Sequence, residues 1–168
     1  TVMIRLYAVS VSALLLLVVA VAGGVGAAAG SSAGGSGGSA PSDVAVGDIP
    51  ADYLVLYQRG GQRYSVDWAV IAGIGKTECD HGRYQAPGCN PPGTVNRAGA
   101  TGPMQFLGST WYAGTTPMTV PSPGPPTTSP AAGYATDGDG DGLADVWNPA
   151  DAIFAAARLL KANGAPAD

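Results

Sequence analysis

The 168-residue chain is poor in the side chains that most often do chemistry. Glu78 is its only glutamate, His81 its only histidine, and Cys79 and Cys89 its only cysteines. A zinc centre built from several His or Cys ligands therefore cannot be assembled. A Ser or Cys nucleophile would have a single imidazole to serve as base, that of His81. A glycosidase using two Glu is excluded, so a carboxylate partner would have to be Asp. Charge is scarce as well: 12% of residues are charged, about half the usual share. The net charge is −4 and the eight Lys and Arg are scattered, which leaves no basic footprint for nucleic acid. No charge falls between Arg5 and Asp43.

What is abundant is apolar and turn-forming. Residues 6–29 form one apolar stretch centred on Leu14 to Val19, long enough to span a bilayer. It ends in small residues of the kind a signal peptidase accepts. Residues 1–29 thus read as a secretory signal or an uncleaved anchor, with a buried core helix as the other reading. Residues 30–47 begin with a Gly/Ser tract and read as a flexible linker. Residues 48–168 read as one mainly α domain.

Within that domain, Ile49-Pro50 is expected to open a first helix carrying Tyr53, Leu54, Leu56 and Tyr57, stopping near Gly60-Gly61. Ser65 is a candidate N-cap for a second, whose apolar positions Trp68, Ile71 and Ile74 lead to Glu78. Gly102-Pro103 is expected to start a third. Asn148-Pro149 is expected to start a fourth, with Asp151 at its third position, Ile153, Phe154, Ala157 and Leu160 as its stripe, and Gly164 as its stop. Residues 114–136 contain six Pro and read as a surface insertion.

Three features could carry chemistry. Glu78 continues the Ile71, Ile74 stripe at the end of its helix. Partial burial and the negative end of the helix dipole would both raise its pKa, as a general acid requires. A solvated Glu in a last turn is the plainer reading. Cys79 and Cys89 pair most simply as a disulfide in an exported chain; a reactive thiol using His81 is the alternative. His81 reads as structural or substrate-facing rather than as a base. Asp137, Asp139, Asp141, Gly142, Leu143 and Asp145 fit a calcium loop, with Asn148 where a bidentate Glu normally stands and Asp151 available to complete the shell. Unless a cation is bound, the loop of residues 137–148 is a solvated acidic turn.

The order of these elements resembles the soluble lytic transglycosylase domain. The resemblance rests on a helix ending in Glu78, a Gly/Pro/Asn loop, Gly102-Pro103-Met104-Gln105-Phe106 and Ser109-Thr110-Trp111. Cys79 and Pro103 stand where the family has Ser and Leu. The Asp run leading into Asn148-Pro149 is similar to secreted actinobacterial members. The resemblance implies a lysozyme-like fold, peptidoglycan glycan strands as the partner and no cofactor for catalysis, with Ca2+ as a structural ion. It implies that Glu78 protonates the bond between N-acetylmuramic acid and N-acetylglucosamine, then acts as base to give a 1,6-anhydro product. It implies that Gln105 and Met104, with Gly102 and Phe106 beside them, line the glycan groove. The family also carries a Tyr-Asn motif after its last helix, and Tyr84, Tyr112 and Tyr134 are not in that position. Either the sequence is truncated at its C-terminus, which is the expectation, or the site is incomplete; in the similar secreted members the domain is often joined to a second, cell-wall peptidase domain. A secreted or membrane-anchored protein of the cell envelope follows, touching membrane only through its N-terminal segment. A lysozyme-type muramidase, a non-catalytic calcium-dependent peptidoglycan-binding module and an envelope spacer are the competing readings.

Overall fold

The computed structural model describes residues 39–114 and 122–165. The apolar segment 1–29, the Gly/Ser tract through residue 38, and residues 115–121 of the proline-rich stretch lie outside the described residues. Among the described residues helix dominates: α1 (Asp43–Asp48), α2 (Ala51–Tyr64), α3 (Trp68–Cys79), α4 (Gly108–Trp111) and α5 (Pro149–Ala162). One antiparallel pair, β1 (Ala100–Thr101) and β2 (Phe106–Leu107), completes the regular structure with a 3-10 turn at Pro130–Ala132. The mainly helical class expected from the sequence holds. No helix among the described residues is long and apolar enough to cross a membrane.

The core forms around α5. Asn148 caps it by accepting the Ala150 N–H, and Pro149 occupies the first turn, where its missing N–H costs nothing. Its residues from Ala150 to Ala157 are all buried. A helix enclosed on most of its circumference belongs in a core, and its alanines let neighbours approach closely. The expected stripe of Ile153, Phe154, Ala157 and Leu160 is therefore part of a wider buried face. Helix α2 packs on α5 and on α3, burying Tyr53, Tyr57, Gly60 and Gly61 at helical spacing.

The Gly60-Gly61 pair does not stop α2, which continues to Tyr64. A Cβ at Gly60 would lie 3.4 Å from Ile153, and one at Gly61 only 2.7 Å from the Val66 carbonyl oxygen. These glycines permit close packing rather than termination. Ser65 is not the cap of the next helix: it is the left-handed C-cap of α2, and Asp67 caps α3 by accepting the Ala69 N–H. Residues 43–48 belong to a helix rather than to the linker, because Ser42 accepts the Ala45 N–H at its start.

Two further expectations change. Gly102-Pro103 does not begin a helix; Gly102–Gln105 is the turn between β1 and β2, closed by the Gln105 N–H donating to the Gly102 carbonyl at 3.0 Å. Gly102 needs its positive φ of 79°, and a Cβ there would strike the Val146 carbonyl. The proline-rich stretch is not a loose insertion over its described part. Thr127 donates its N–H to Ala135, Tyr134 donates to Trp111, and Ala135 and Thr136 are buried.

The glycine contacts give a paired prediction. Gly61→Ala is expected to cost about 1–3 kcal/mol, because backbone lies where the new methyl would go. Gly47→Ala, with nothing within 4 Å, should be neutral or stabilising by up to about 1 kcal/mol. Denaturant midpoints of the two variants check the contrast; equal effects would refute it.

Candidate active site and acidic loop

Glu78 is the penultimate residue of α3, half-buried, and burial pushes its carboxyl above the ordinary glutamate range. Desolvation disfavours the charged form and is the cause here. The helix ends immediately afterwards. Asp80 and His81 adopt left-handed backbone with φ of 48° and 55°, and their N–H groups close the last turn onto Lys76 and Gly75.

The neighbours of Glu78 are committed elsewhere. The Asp80 carboxylate takes 2.7 Å hydrogen bonds from both Lys76 and Arg83, which hold it well below the usual carboxylate range. Lys76 and Arg83 also reach Asp48 at the end of α1. His81 is 2% exposed. Its Nδ1 lies 3.0 Å from the Tyr57 hydroxyl, with Nε2 3.9 Å from Asp48. Burial is the main cause lowering the His81 pKa, so a neutral ring accepting from Tyr57 fits the geometry. His81 thus acts as a strut between α2 and the turn after α3.

Cys79 and Cys89 form a disulfide, and no free cysteine remains, which removes the reactive-thiol alternative. The sulfurs touch backbone on both sides of the site: Cys89 Sγ lies 3.4 Å from the Glu78 carbonyl oxygen and Cys79 Sγ 3.5 Å from that of Gly102. A disulfide sulfur carries no hydrogen, so these are contacts and not hydrogen bonds.

The hairpin residues divide by burial. Gly102, Met104 and Phe106 are buried, Met104 and Phe106 in the hydrophobic core and Phe106 edge-on to Trp111. Gln105 is half-buried with φ of 50°. Its Nε2 donates to the carbonyls of Gly88 at 2.8 Å and Gly102 at 3.0 Å, and its Oε1 accepts from Asn96 at 2.7 Å. The amide group keeps one acceptor lone pair for another partner. Asn96 was missed in the sequence. Its trace is an Asn three residues before Gly99, a turn signature: Asn96 Oδ1 accepts the N–H groups of Ala98 and Ala100.

The acidic loop assembles differently from the linear pattern. Asp137, Asp139 and Asp151 each place a carboxylate oxygen within 4.8 Å of the others. Asp141 caps Leu143, and Asp145 accepts from Trp147 and Ser122; neither belongs to that group, and the Leu143 side chain is exposed. Asp151 is 1% exposed and accepts the N–H groups of Gly138 and Asp145. Burial pushes its pKa up to about 6 despite those two bonds, and the charges of Asp139 and Asp137 add to the rise. An all-oxygen donor set of this kind suits a hard cation.

The disulfide spacing yields a stability prediction. Replacing Cys79 and Cys89 together by Ala should cost about 2.8 kcal/mol, the entropy of closing so short a loop, read from thermal or denaturant unfolding. An unchanged midpoint would show that the bridge adds nothing.

Residues 128–167 match the family model described as Transglycosylase SLT domain. The match begins just before the 3-10 turn and covers the acidic loop and α5; it does not include Glu78 or Gln105. No curated protein and no solved structure matches the chain. The matched segment supports a soluble lytic transglycosylase domain.

Proposed function

We propose that the protein is an extracytoplasmic peptidoglycan lytic transglycosylase with Glu78 as its single acid and base. The observation that carries this reading is the lone, half-buried glutamate at the end of α3, whose pKa burial raises above the ordinary glutamate range. Protonated Glu78 donates to the glycosidic oxygen as the bond from N-acetylmuramic acid to N-acetylglucosamine breaks. The resulting carboxylate takes the proton of the muramyl 6-hydroxyl, whose oxygen closes onto the anomeric carbon. The product is a 1,6-anhydro sugar, and Glu78 is protonated again. The substrate's N-acetyl group assists, a known exception to two-carboxylate chemistry. A hydrolytic route would favour a second carboxylate to direct water. The nearest in sequence, Asp80, is paired with Lys76 and Arg83, which argues for the transglycosylase over the muramidase.

Gln105 offers the glycan the remaining acceptor position on Oε1, while Gly102, Met104 and Phe106 support the turn from below. Ca2+ is proposed as a structural ion held by Asp137, Asp139 and Asp151. It would neutralise three clustered carboxylates and take no part in bond cleavage.

Purified sacculi should release anhydro-muropeptides with the native protein, and Glu78→Gln should reduce the rate by roughly 100-fold or more. Equal release by both, or products with reducing ends, would overturn the assignment. Retained sacculus binding without release would instead favour a binding module. Because the acid must be protonated, the rate should fall as pH rises through the Glu78 pKa. With that pKa raised, the fall is expected at higher pH than for an ordinary glutamate; an alkaline limb in the usual carboxylate range would contradict the burial argument. Millimolar Ca2+ should raise the melting temperature of chelated protein, and Asp137→Asn should weaken that rise. A melting temperature indifferent to Ca2+ would remove the metal.

A further inference from the structure

The Gly88 and Gly102 carbonyls both accept from the Gln105 amide, and they sit on the two segments that border the end of α3. Gly88 adjoins Cys89, which is bonded to Cys79, next to Glu78. Gly102 touches the disulfide from the other side through its carbonyl oxygen. The Gln105 side chain could satisfy its own groups in several ways, since an amide can rotate and exchange its oxygen and nitrogen. Asn96 removes that freedom. Its Oδ1 is occupied by the Ala98 and Ala100 N–H groups at 2.8 and 3.0 Å, so only its Nδ2 faces Gln105. An Nδ2 donor demands an acceptor, which turns Gln105 Oε1 toward Asn96 and both Nε2 hydrogens toward Gly88 and Gly102. The Asn96 N–H also donates to the Ala100 carbonyl, which ties the turn to β1 at the base of the hairpin. A polar network whose donors and acceptors are matched in one orientation is stiff.

We propose that Asn96 is a positioning residue that acts through Gln105 to clamp the disulfide loop and the hairpin turn against the end of the helix bearing Glu78. This rests on the reading of Glu78 as the acid, and the clamp can be tested apart from it. Asn96→Asp keeps Oδ1 for Ala98 and Ala100 but replaces the donor with an acceptor. Gln105 must then either face a carboxylate with Oε1 or rotate and release Gly88 and Gly102. Either way the hold of Gln105 on Gly88 and Gly102 is weakened.

Because Glu78 is the only glutamate in the chain, carbon-13 glutamate labelling gives one glutamate carboxyl signal whose titration needs no activity. In folded Asn96→Asp that signal should titrate at lower pH than in the native protein, as the end of α3 loosens and water reaches the carboxyl. In parallel, kcat for muropeptide release should fall by roughly ten- to a hundredfold, as expected for misplacement of a reacting group, and KM should rise as the Gln105 acceptor is displaced. A folded variant whose Glu78 titration overlays the native curve overturns the clamp. If Asn96→Asp does not fold, Gln105→Met provides the same decision: it matches the side-chain length and removes every hydrogen bond of the amide. A shifted titration supports the clamp and an overlaid one overturns it. Should the native protein release no muropeptides while the variants still shift the signal, the glycan-cleavage reading fails and the clamp stands.

Discussion

The covalent tie between Cys79 and Cys89 joins the last residue of α3 to the loop that follows it, and the site is arranged around that tie. A helix end leaves four carbonyls without intrahelical partners. Here the chain turns back at once through two consecutive left-handed residues, Asp80 and His81. Neither is glycine, so each carries a conformational cost of order 1–3 kcal/mol. Such backbone persists only where the surroundings over-determine it. His81 is over-determined by burial and by Tyr57, and Asp80 by Lys76 and Arg83. Gln105, a further non-glycine residue with positive φ, lies in the hairpin turn beside the same disulfide. Strain collects around Glu78 because the segments that hold it must meet there.

Charge is distributed to the same effect. The exposed ion pairs among Asp48, Lys76, Asp80 and Arg83 are individually weak in water. Together they occupy every charged side chain between Asp67 and Arg97 except Glu78 itself. Among the described residues the glutamate is left without a cation to hold it ionised, so burial alone determines the direction of its shift. A paired carboxylate would be a poor proton donor near neutrality; an unpaired, half-buried one is suited to the task.

Much of this was legible in the sequence, and the misses share a cause. The α5 boundaries followed from Asn148, Pro149 and Gly164, because caps and stops are local chemistry. Glu78 at a helix end followed from the 3.6-residue period. Gly60-Gly61 misled because glycine signals either a stop or a close approach, and only the position of Val66 and Ile153 decides between them. Gly102-Pro103 misled in the same way: a helix start and a hairpin turn use the same residue types, and the Val146 carbonyl selects the turn. The aspartate pattern marked residues 137–145 as one acidic loop, but the grouping of Asp137 and Asp139 with Asp151 across the start of α5 depends on where that helix begins to bury its first turn. The Asn96–Gln105 contact has no periodic signature at all, since it joins two turns.

The contact between Gly102 and Val146 joins the hairpin turn to the acidic loop. Val146 lies at the end of the acidic loop, and its carbonyl packs where a Cβ of Gly102 would be. Gly138, at the loop's other end, packs equally closely on the Ala150 carbonyl. The loop is thus wedged between α5 and the hairpin, with Asp151 tying its ends through the N–H groups of Gly138 and Asp145. Close-packed interiors transmit displacement rather than absorbing it. A loop that loosened at Asp151 would release Val146, and the turn carrying Gln105 would lose its backing from one side while the clamp held the other. The segment matched to the transglycosylase family, through Val146, and the hairpin turn beside the Cys79–Cys89 bridge are therefore in direct packing contact.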